Sequence, residues 1–259
     1  MWINDLACKI FVAPIGKNYL FSTGQAGFII KSKSGQLLAI DLYLSDCVER
    51  LEGHDGYKRM LPKLLNPQDV EFDVVIATHP HKDHFDDDSM PELMANLHTQ
   101  LFASVECEQE VKRLGMLDRG ITYVRSGDHA CVGDFAIDFI NCDHGQGAPD
   151  AVGVVVTVDG KKIIEVGDTC LREDWYDYYA SFGPFDVMIA PINGMYGNLN
   201  ERECAILADA LKPSVVIPCH YGMFASHMGS PGEFFHIMTE NYPNQKFCIM
   251  TQGEKMVLS

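Results

Sequence analysis

A concentration of histidine and aspartate side chains lies between positions 79 and 84. The segment reads His79-Pro80-His81-Lys82-Asp83-His84, and it follows the short apolar run 73–78, which is typical of a strand buried on both faces. Side chains two positions apart in an extended segment share a face, so His79 and His81 can point together. The turn that follows can carry Asp83 and His84 to a second point. Imidazole and carboxylate donors in this spacing predict a site for zinc, iron, copper, nickel or manganese.

Three later residues of the same chemical types each come two or three positions after a predicted strand. They are His144, three positions after its strand, and Asp168 and His220, each two positions after theirs. Because strand ends in layered sheets meet at one edge, where loops carry function, we expect all of these side chains to converge. The predicted set is large enough for two metal ions that share one bridging carboxylate, and it comprises His79, His81, Asp83, His84, His144, Asp168 and His220.

The elements that must position these residues are short strands interspersed with helices. Strands are predicted at 27–31, 37–42, 73–78, 101–105, 121–124, 135–141, 152–158, 161–166, 186–190 and 215–218, and a final strand pair at 247–251 and 255–258. Helices are predicted after the cap at Ser89 and at 108–114, 172–180, 201–211 and 232–241. The Asp159-Gly160 pair favours a type I′ hairpin between two of the strands. Strand-rich runs in both halves predict an α/β fold with two sheets packed face to face and helices outside.

Length and charge narrow the classes of protein. A chain of 259 residues with 47% hydrophobic and 22% charged residues, and without a repeat or linker, is expected to form one domain over 1–259. Twenty basic and 36 acidic residues give a net charge of −16. This charge disfavours nucleic acids and membrane surfaces as partners. It leaves a small-molecule substrate open, including an anion, because bound metal reverses the local field. A homo-oligomer is compatible with the sequence.

Cysteine usage and hydropathy indicate the compartment. The chain has nine cysteines and no CxxC pair, which favours free thiols in a reducing cytoplasm. Residues 1–14 show no basic segment followed by a long apolar run, so we expect no signal peptide. No stretch approaches 18 apolar residues, so we expect no membrane span.

The segment Thr78–His84 resembles the HxHxDH signature of the metallo-β-lactamase superfamily. The later residues fall where that family has its remaining ligand motifs, and the similarity extends over nearly the whole chain. The resemblance implies a four-layer αββα sandwich and two divalent metal ions, Zn²⁺ or Mn²⁺. It implies a first site of His79, His81 and His144, a second site of Asp83, His84 and His220, and Asp168 as the bridge.

Within that superfamily the chain is most similar to UlaG-like proteins, which include L-ascorbate-6-phosphate lactonases. Three segments carry this similarity: the Gly24-Gln25-Ala26-Gly27-Phe28 turn, Gly167-Asp168-Thr169 before a tyrosine-rich stretch, and Ile217-Pro218-Cys219-His220-Tyr221-Gly222. The resemblance implies a metal-dependent hydrolase that opens the lactone of a sugar acid or sugar-acid phosphate by attack of metal-bound hydroxide. Two alternatives remain: a phosphodiesterase acting on a small cyclic or diester phosphate, and an iron-binding redox protein on the same fold.

Three residues are predicted to take part in the chemistry besides binding metal. Asp83 is expected both to bind the second metal and to accept or orient the proton of the nucleophile. The hydroxyl of Tyr196 lies in a glycine-containing turn and can bind an oxyanion. His227 lies in a loop beyond His220 and can donate to the substrate or its leaving group.

The sequence also suggests roles for other polar residues near the predicted ligands. The Asp86-Asp87-Asp88 run reads as a solvated turn and helix start. Lys82 is expected to point away from the dications, while Arg125 and Arg172 are less favoured candidates for an anion clamp. Gln25 is either a turn residue or one that reaches the site.

Overall fold

The computed structural model describes residues 5–258. Residues 1–4 lie outside this range, and they belong to the segment 1–14 in which no signal peptide is expected. The first half contains α1 (Leu6–Val12), β1 (Asn18–Gly24), β2 (Gly27–Lys31), β3 (Leu37–Ile40), α2 (Cys47–Glu52), α3 (His54–Tyr57), β4 (Val74–Ala77), α4 (Met90–Leu93), β5 (Gln100–Ser104), α5 (Cys107–Arg113) and β6 (Ile121–Val124). The second half contains β7 (His129–Val132), β8 (Phe135–Asn141), β9 (Val152–Val158), β10 (Lys161–Glu165), α6 (Tyr176–Ala180), β11 (Val187–Pro191), α7 (Glu201–Leu211), β12 (Val215–Cys219), α8 (Pro231–Asn241) and β13 (Lys255–Leu258).

The strands form two sheets. One has the order β13-β1-β2-β3-β4-β5-β6 and the other β12-β11-β10-β9-β8-β7. Strands β3 to β6 are mutually parallel, and so are β10 to β12. Helices cover the outer faces, which gives the predicted αββα sandwich.

Alternation along the strands builds the layers. Val154 and Val156 of β9 face the core between the sheets, whereas Val155 faces the core under the outer helices. Between the sheets, Phe102 packs against Phe139 with ring centroids 5.9 Å apart. Full burial of one such side chain contributes about 1.5–3 kcal/mol to the free energy of folding. The packed cores therefore hold the two sheets in fixed positions relative to each other at their shared edges.

The predicted hairpin is confirmed, since Asp159 and Gly160 have φ of 51° and 78° between β9 and β10. The predicted strand pair 247–251 and 255–258 is wrong. Phe247 makes only an isolated bridge to Val216 of β12, whereas β13 pairs with β1 in the other sheet. The chain crosses from one sheet to the other between these segments, so they cannot form a hairpin. The sequence patterns also missed α1, α2, α3, β1 and β7.

The carboxyl ends of β4, β8, β10 and β12 lie at one edge of the sandwich. Strand β9 is antiparallel to both β8 and β10, so β8 runs in the direction of β10 and β12. The Val152 N–H, at the start of β9, donates to the Thr78 carbonyl at the end of β4 (3.1 Å), which joins the two sheets at this edge. The loops after these strands therefore face one another.

Candidate metal centre

Three histidines form the first cluster at this edge. His79 and His81 come from the loop after β4, and His144 comes from the loop after β8. His81 Nδ1 lies 3.0 Å from His79 Nε2 and 3.0 Å from His144 Nε2. His79 and His144 are buried, and His81 is partly exposed to a cavity.

The second cluster combines two histidines with two carboxylates. His84 Nε2 and His220 Nε2 lie 3.3 Å apart. Asp168 Oδ2 is 3.4 Å from the first of these nitrogens and 3.1 Å from the second. Asp83 Oδ2 is 3.3 Å from His220 Nε2. Asp168 Oδ2 also lies 3.9 Å from His144 Nε2, so this carboxylate stands between the two clusters.

Both clusters have the donor chemistry of a metal site. A neutral imidazole nitrogen either donates or accepts a hydrogen bond, so His81 Nδ1 cannot satisfy two imidazole nitrogens equally well by hydrogen bonding alone. Two nitrogens on one zinc ion, each at about 2.0–2.1 Å in tetrahedral geometry, would be about 3.3 Å apart. The ligand atoms of His79, His81 and His144 lie within 4.8 Å of one another, as do those of His84, Asp168 and His220. Each group could hold one ion.

A cavity of about 360 Å³ opens over the clusters, and its lining includes Tyr57, Tyr196 and His227. Tyr196 is 51% exposed, has a φ of 57°, and its hydroxyl lies 3.3 Å from that of Tyr57. The Tyr196 and His227 rings meet edge-on with centroids 5.2 Å apart. Both predicted non-ligand residues therefore lie on the wall of this cavity.

The part of the sequence that contains these residues matches a known protein family. Residues 19–220, which contain every predicted ligand, match the Beta-lactamase superfamily domain. The chain belongs to the β-lactamase superfamily. The match begins in β1 and ends at the last predicted ligand, so it spans both sheets of the fold and both clusters.

Several relatives of this superfamily member are named as metal-dependent hydrolases. The chain is 25% identical over 259 residues to a UPF0173 metal-dependent hydrolase of Polynucleobacter asymbioticus, covering 92% of this chain and 86% of that protein. It is 27% identical over 220 residues to one of Pyrococcus abyssi, covering 79% and 94%. Igni18, a metallo hydrolase from Ignicoccus hospitalis, has a TM-score of 0.72 at 23% identity over 93% and 98% of the chains, a likeness of fold alone.

The two clusters differ in electrostatics. Burial lowers the pKa of His81 and takes that of His79 well below its ordinary value. Burial also lowers the pKa of His144 to about 4. Imidazoles that stay neutral keep a lone pair free, so the first cluster of this superfamily member is ready to bind a cation at neutral pH.

In the second cluster, carboxylates reverse the effect of burial. Burial lowers the pKa of His220, but Asp168 and Asp83 outweigh it and raise that pKa to about 9. The same carboxylates, against the same effect of burial, hold the pKa of His84 well above its ordinary value. In return, the two histidines hold the pKa of Asp83 and of Asp168 well below the ordinary range despite burial. Without metal, the second cluster is a network of buried ion pairs.

Asp41 is a supporting residue that the sequence reasoning missed. Its Oδ2 accepts from His84 Nδ1 (2.7 Å) and from Thr78 Oγ1 (2.6 Å), and its Oδ1 accepts from the Thr78 N–H (2.8 Å). It therefore fixes which nitrogen of His84 faces the cluster. Asp41 follows β3, which is parallel to β4, so its place at the end of a neighbouring strand was the available signal.

Gln25 reaches the site. It lies in the turn between β1 and β2, is 3% exposed, and its Nε2 lies 2.8 Å from Asp83 Oδ2. The same nitrogen is 2.9 Å from His227 Nδ1 and 3.3 Å from His220 Nε2. The sequence could not separate this position from an ordinary turn, because the contacts form only when the loops close over the edge.

The interpretation of residues 86–88 as a solvated turn is wrong for two of the three. Asp86 and Asp87 are buried, and only Asp88 is exposed. Asp86 accepts from the backbone N–H groups of Leu44 and Ser45, both at 2.8 Å. Asp86 therefore links the loop after β3 to the loop after β4. These hydrogen bonds compensate the carboxylate for the water contacts that it loses on burial.

The basic residues near the site are occupied elsewhere. Lys82 points away from the clusters, as predicted, and pairs with Asp87 (3.1 Å) and Glu110 (2.6 Å). Arg125 pairs with Asp150. Arg172 pairs with Asp143 and Asp174, so neither arginine is free to clamp an anion.

Within residues 5–258, no helix has both the length and the apolar character needed to cross a membrane.

Proposed function

We propose that this chain is a metal-dependent hydrolase that opens the lactone of a sugar acid. The observation that carries the proposal is Asp168, whose carboxylate stands between a three-histidine cluster and a histidine–carboxylate cluster. The names of the curated relatives support the metal-dependent hydrolase. The choice of a lactone as the substrate rests on the resemblance to UlaG-like proteins and on the residues that line the cavity.

The proposed ligands divide between two ions. His79, His81 and His144 would hold the first, and Asp83, His84 and His220 would hold the second, with Asp168 available to both. Zn²⁺ or Mn²⁺ in these positions would activate a water molecule at neutral pH and polarise the ester carbonyl. Every other contribution comes from the side chains around the ions.

Asp83 is proposed to orient the attacking water and accept its proton. Its Oδ2 is fixed by the Gln25 amide at 2.8 Å, and a neighbouring dication would keep this carboxylate ionised. An ionised carboxylate is a strong hydrogen-bond acceptor. Tyr196 and His227, on the wall of the cavity, are proposed to donate to the oxygen that becomes negative during attack.

The charges around the cavity favour a lactone without a phosphate. Lys82 is the only lysine or arginine among the residues that line it, and its ammonium is already paired with Asp87 and Glu110. Besides the proposed ligands Asp83 and Asp168, the lining contains two more acidic side chains, Glu52 and Glu110. A phosphate away from the ions would find acids and no free cation, whereas a neutral polyhydroxylated ring meets tyrosine and histidine donors.

Loading the metal-free protein with Zn²⁺ or Mn²⁺ and assaying substrates in parallel tests the proposal. The substrates are sugar-acid lactones, their phosphates and bis(p-nitrophenyl) phosphate. We expect lactone hydrolysis that falls at least about 100-fold in Asp83→Ala. Asp174→Asn, which alters an exposed carboxylate, is the matched control.

The outcomes separate the candidate functions. Turnover of the diester alone would replace the lactonase with a phosphodiesterase, which the same pair of clusters suits through in-line displacement. Far less than one divalent ion per chain after careful purification would overturn the metal-dependent scheme. Electron transfer with iron and no hydrolysis would favour the redox protein.

We also propose a reducing cytoplasm and one domain over 1–259. All nine cysteines are free, including the buried Cys107, Cys142, Cys204 and Cys219. Buried thiols without partners suit a compartment that does not form disulfides.

A further inference from the structure

The amide of Gln25 joins the second cluster to His227. Gln25 has a φ of 53°, and its carbonyl accepts from the His220 N–H (2.9 Å). Its Nε2 lies nearest to Asp83 Oδ2 (2.8 Å) and His227 Nδ1 (2.9 Å), with His220 Nε2 farther away at 3.3 Å. Backbone and side chain of one buried residue therefore both contact the centre.

The contact with Asp83 decides which way the amide is turned. A carboxylate only accepts hydrogen bonds, so the atom 2.8 Å from Asp83 Oδ2 must be the donor –NH₂ of Gln25. The reverse orientation would place two oxygens against each other. The same –NH₂ has a second hydrogen, and His227 Nδ1 lies 2.9 Å from it.

This donor determines the state of the His227 ring. Since Nδ1 accepts from Gln25, the proton of the neutral ring must lie on Nε2. Nε2 makes no hydrogen bond to any residue within 5–258, and His227 lines the cavity over the clusters. The ring is also held in place, stacked on His220 with centroids 5.0 Å apart and edge-on to Phe224 at 5.0 Å.

We infer that Gln25 is a positioning residue that fixes His227 as the Nε2–H tautomer and so presents a neutral N–H donor to the cavity. Such a donor suits an ester carbonyl oxygen or the oxygen of the leaving alkoxide, and it adds no charge to the lining. The catalytic use of this donor rests on the proposed function. The tautomer itself does not, because it follows from the contacts of Gln25.

Nuclear magnetic resonance of ¹⁵N-histidine-labelled, Zn²⁺-loaded protein reads the tautomer directly. We expect His227 to show an upfield, protonated Nε2 and a downfield, unprotonated Nδ1, with the resonances assigned by their loss in His227→Gln. In Gln25→Glu the group facing Nδ1 is a carboxylate that accepts. We therefore expect the two nitrogens to exchange their resonance positions, or both to become protonated.

A second variant keeps the test decisive if Gln25→Glu fails to fold. Gln25→Met keeps the length of the side chain but has no donor, so we expect a mixture of tautomers at an unchanged zinc content. A parent protein with the proton on Nδ1, or an unchanged tautomer in both variants, would overturn the inference. The predicted tautomer in a protein without lactonase activity would leave the inference standing and remove only the proposed function. In an active enzyme, both variants should lower kcat more than they raise KM.

Discussion

The two clusters of this site are built from the same kinds of side chain but are stabilised differently. In the first, burial, aided by repulsion from neighbouring histidines, keeps His79, His81 and His144 neutral, and the Nδ1 of His144 has no hydrogen-bond partner within residues 5–258. In the second, carboxylates outweigh burial and hold His84 and His220 protonated in the absence of metal.

This difference has a thermodynamic consequence for metal binding. A cation entering the first cluster meets free lone pairs, whereas one entering the second must displace protons from imidazolium groups. The supporting residues are also unequal, because Asp41 and Gln25 both serve the second cluster. We expect the first site to bind metal over a wider pH range and the second to be the more sensitive to mutation.

Asp168→Ala should have the largest effect, since it removes the carboxylate that both clusters share. We expect a loss of hydrolysis of at least about 100-fold, because changes outside the ligand shell already cost 10–100-fold. Metal analysis should show weaker binding at both sites. A variant that loses metal from one site only would show that the clusters are independent and that Asp168 does not bridge them.

The pH dependence of metal affinity should differ between the sites. Because His220 has a pKa raised to about 9 by Asp168 and Asp83 against burial, it is protonated at pH 8 and below. Each proton that metal must displace lowers affinity about tenfold per pH unit, so the second site should lose about 100-fold per displaced proton between pH 8 and pH 6. His144, with a pKa lowered to about 4 by burial, keeps the first site nearly constant over this range.

Isothermal titration calorimetry in buffers of different ionisation enthalpy measures this difference as protons released per ion. Release of no proton in the first binding step and of one or two in the second is the expected pattern. Equal release in both steps would show that the carboxylates do not set the second cluster apart.

Asp41→Asn tests the direct support of the second cluster, to which Asp41 is bonded through His84; it reaches His79 of the first cluster only through Thr78 Oγ1, 3.0 Å from His79 Nδ1. The amide would turn an N–H toward the donor atoms of His84 and Thr78, so we expect a 10–100-fold loss of metal affinity at the second site. Asp73→Asn is the control, because Asp73 also accepts from a backbone N–H and a histidine, but at the opposite end of β4. An equal loss at the first site would mean that Asp41 stabilises the whole edge.

Lys82→Gln should have the smallest effect on the site. Lys82 lies inside the metal motif but pairs with Asp87 and Glu110, so metal content should not change and activity should stay within about threefold. Thermal or denaturant unfolding should show a loss of about 1–2 kcal/mol, because buried Asp87 loses one partner. Lys112→Gln, at an exposed pair with Glu108, should cost only about 0.3–0.5 kcal/mol. A change in metal content would contradict the separation of Lys82 from both clusters.

Much of the architecture was accessible from local sequence. Helix α7 and strands β6, β8 and β9 match their predicted bounds, because periodicity and turn residues act within a few positions. Strand β1 escaped prediction, since its residues are buried on both faces and show no alternation. Strand β13 was recognised but paired wrongly, because its partner β1 lies more than 230 residues away in the chain.

The sequence by itself determined the donor chemistry of the site. Three imidazoles and a carboxylate in six residues, with His144, Asp168 and His220 beyond later strands, define the donor set without reference to distances. Only the tertiary structure decided which donors share a cluster and which residues support them. Gln25 carries no local signal, and Asp41 carries only its place at the end of a strand, because their roles depend on loops from distant strands meeting at one edge. The opposite pKa shifts of His144 and His220 likewise arise from burial and from the distance to Asp168, which no spacing along the chain encodes.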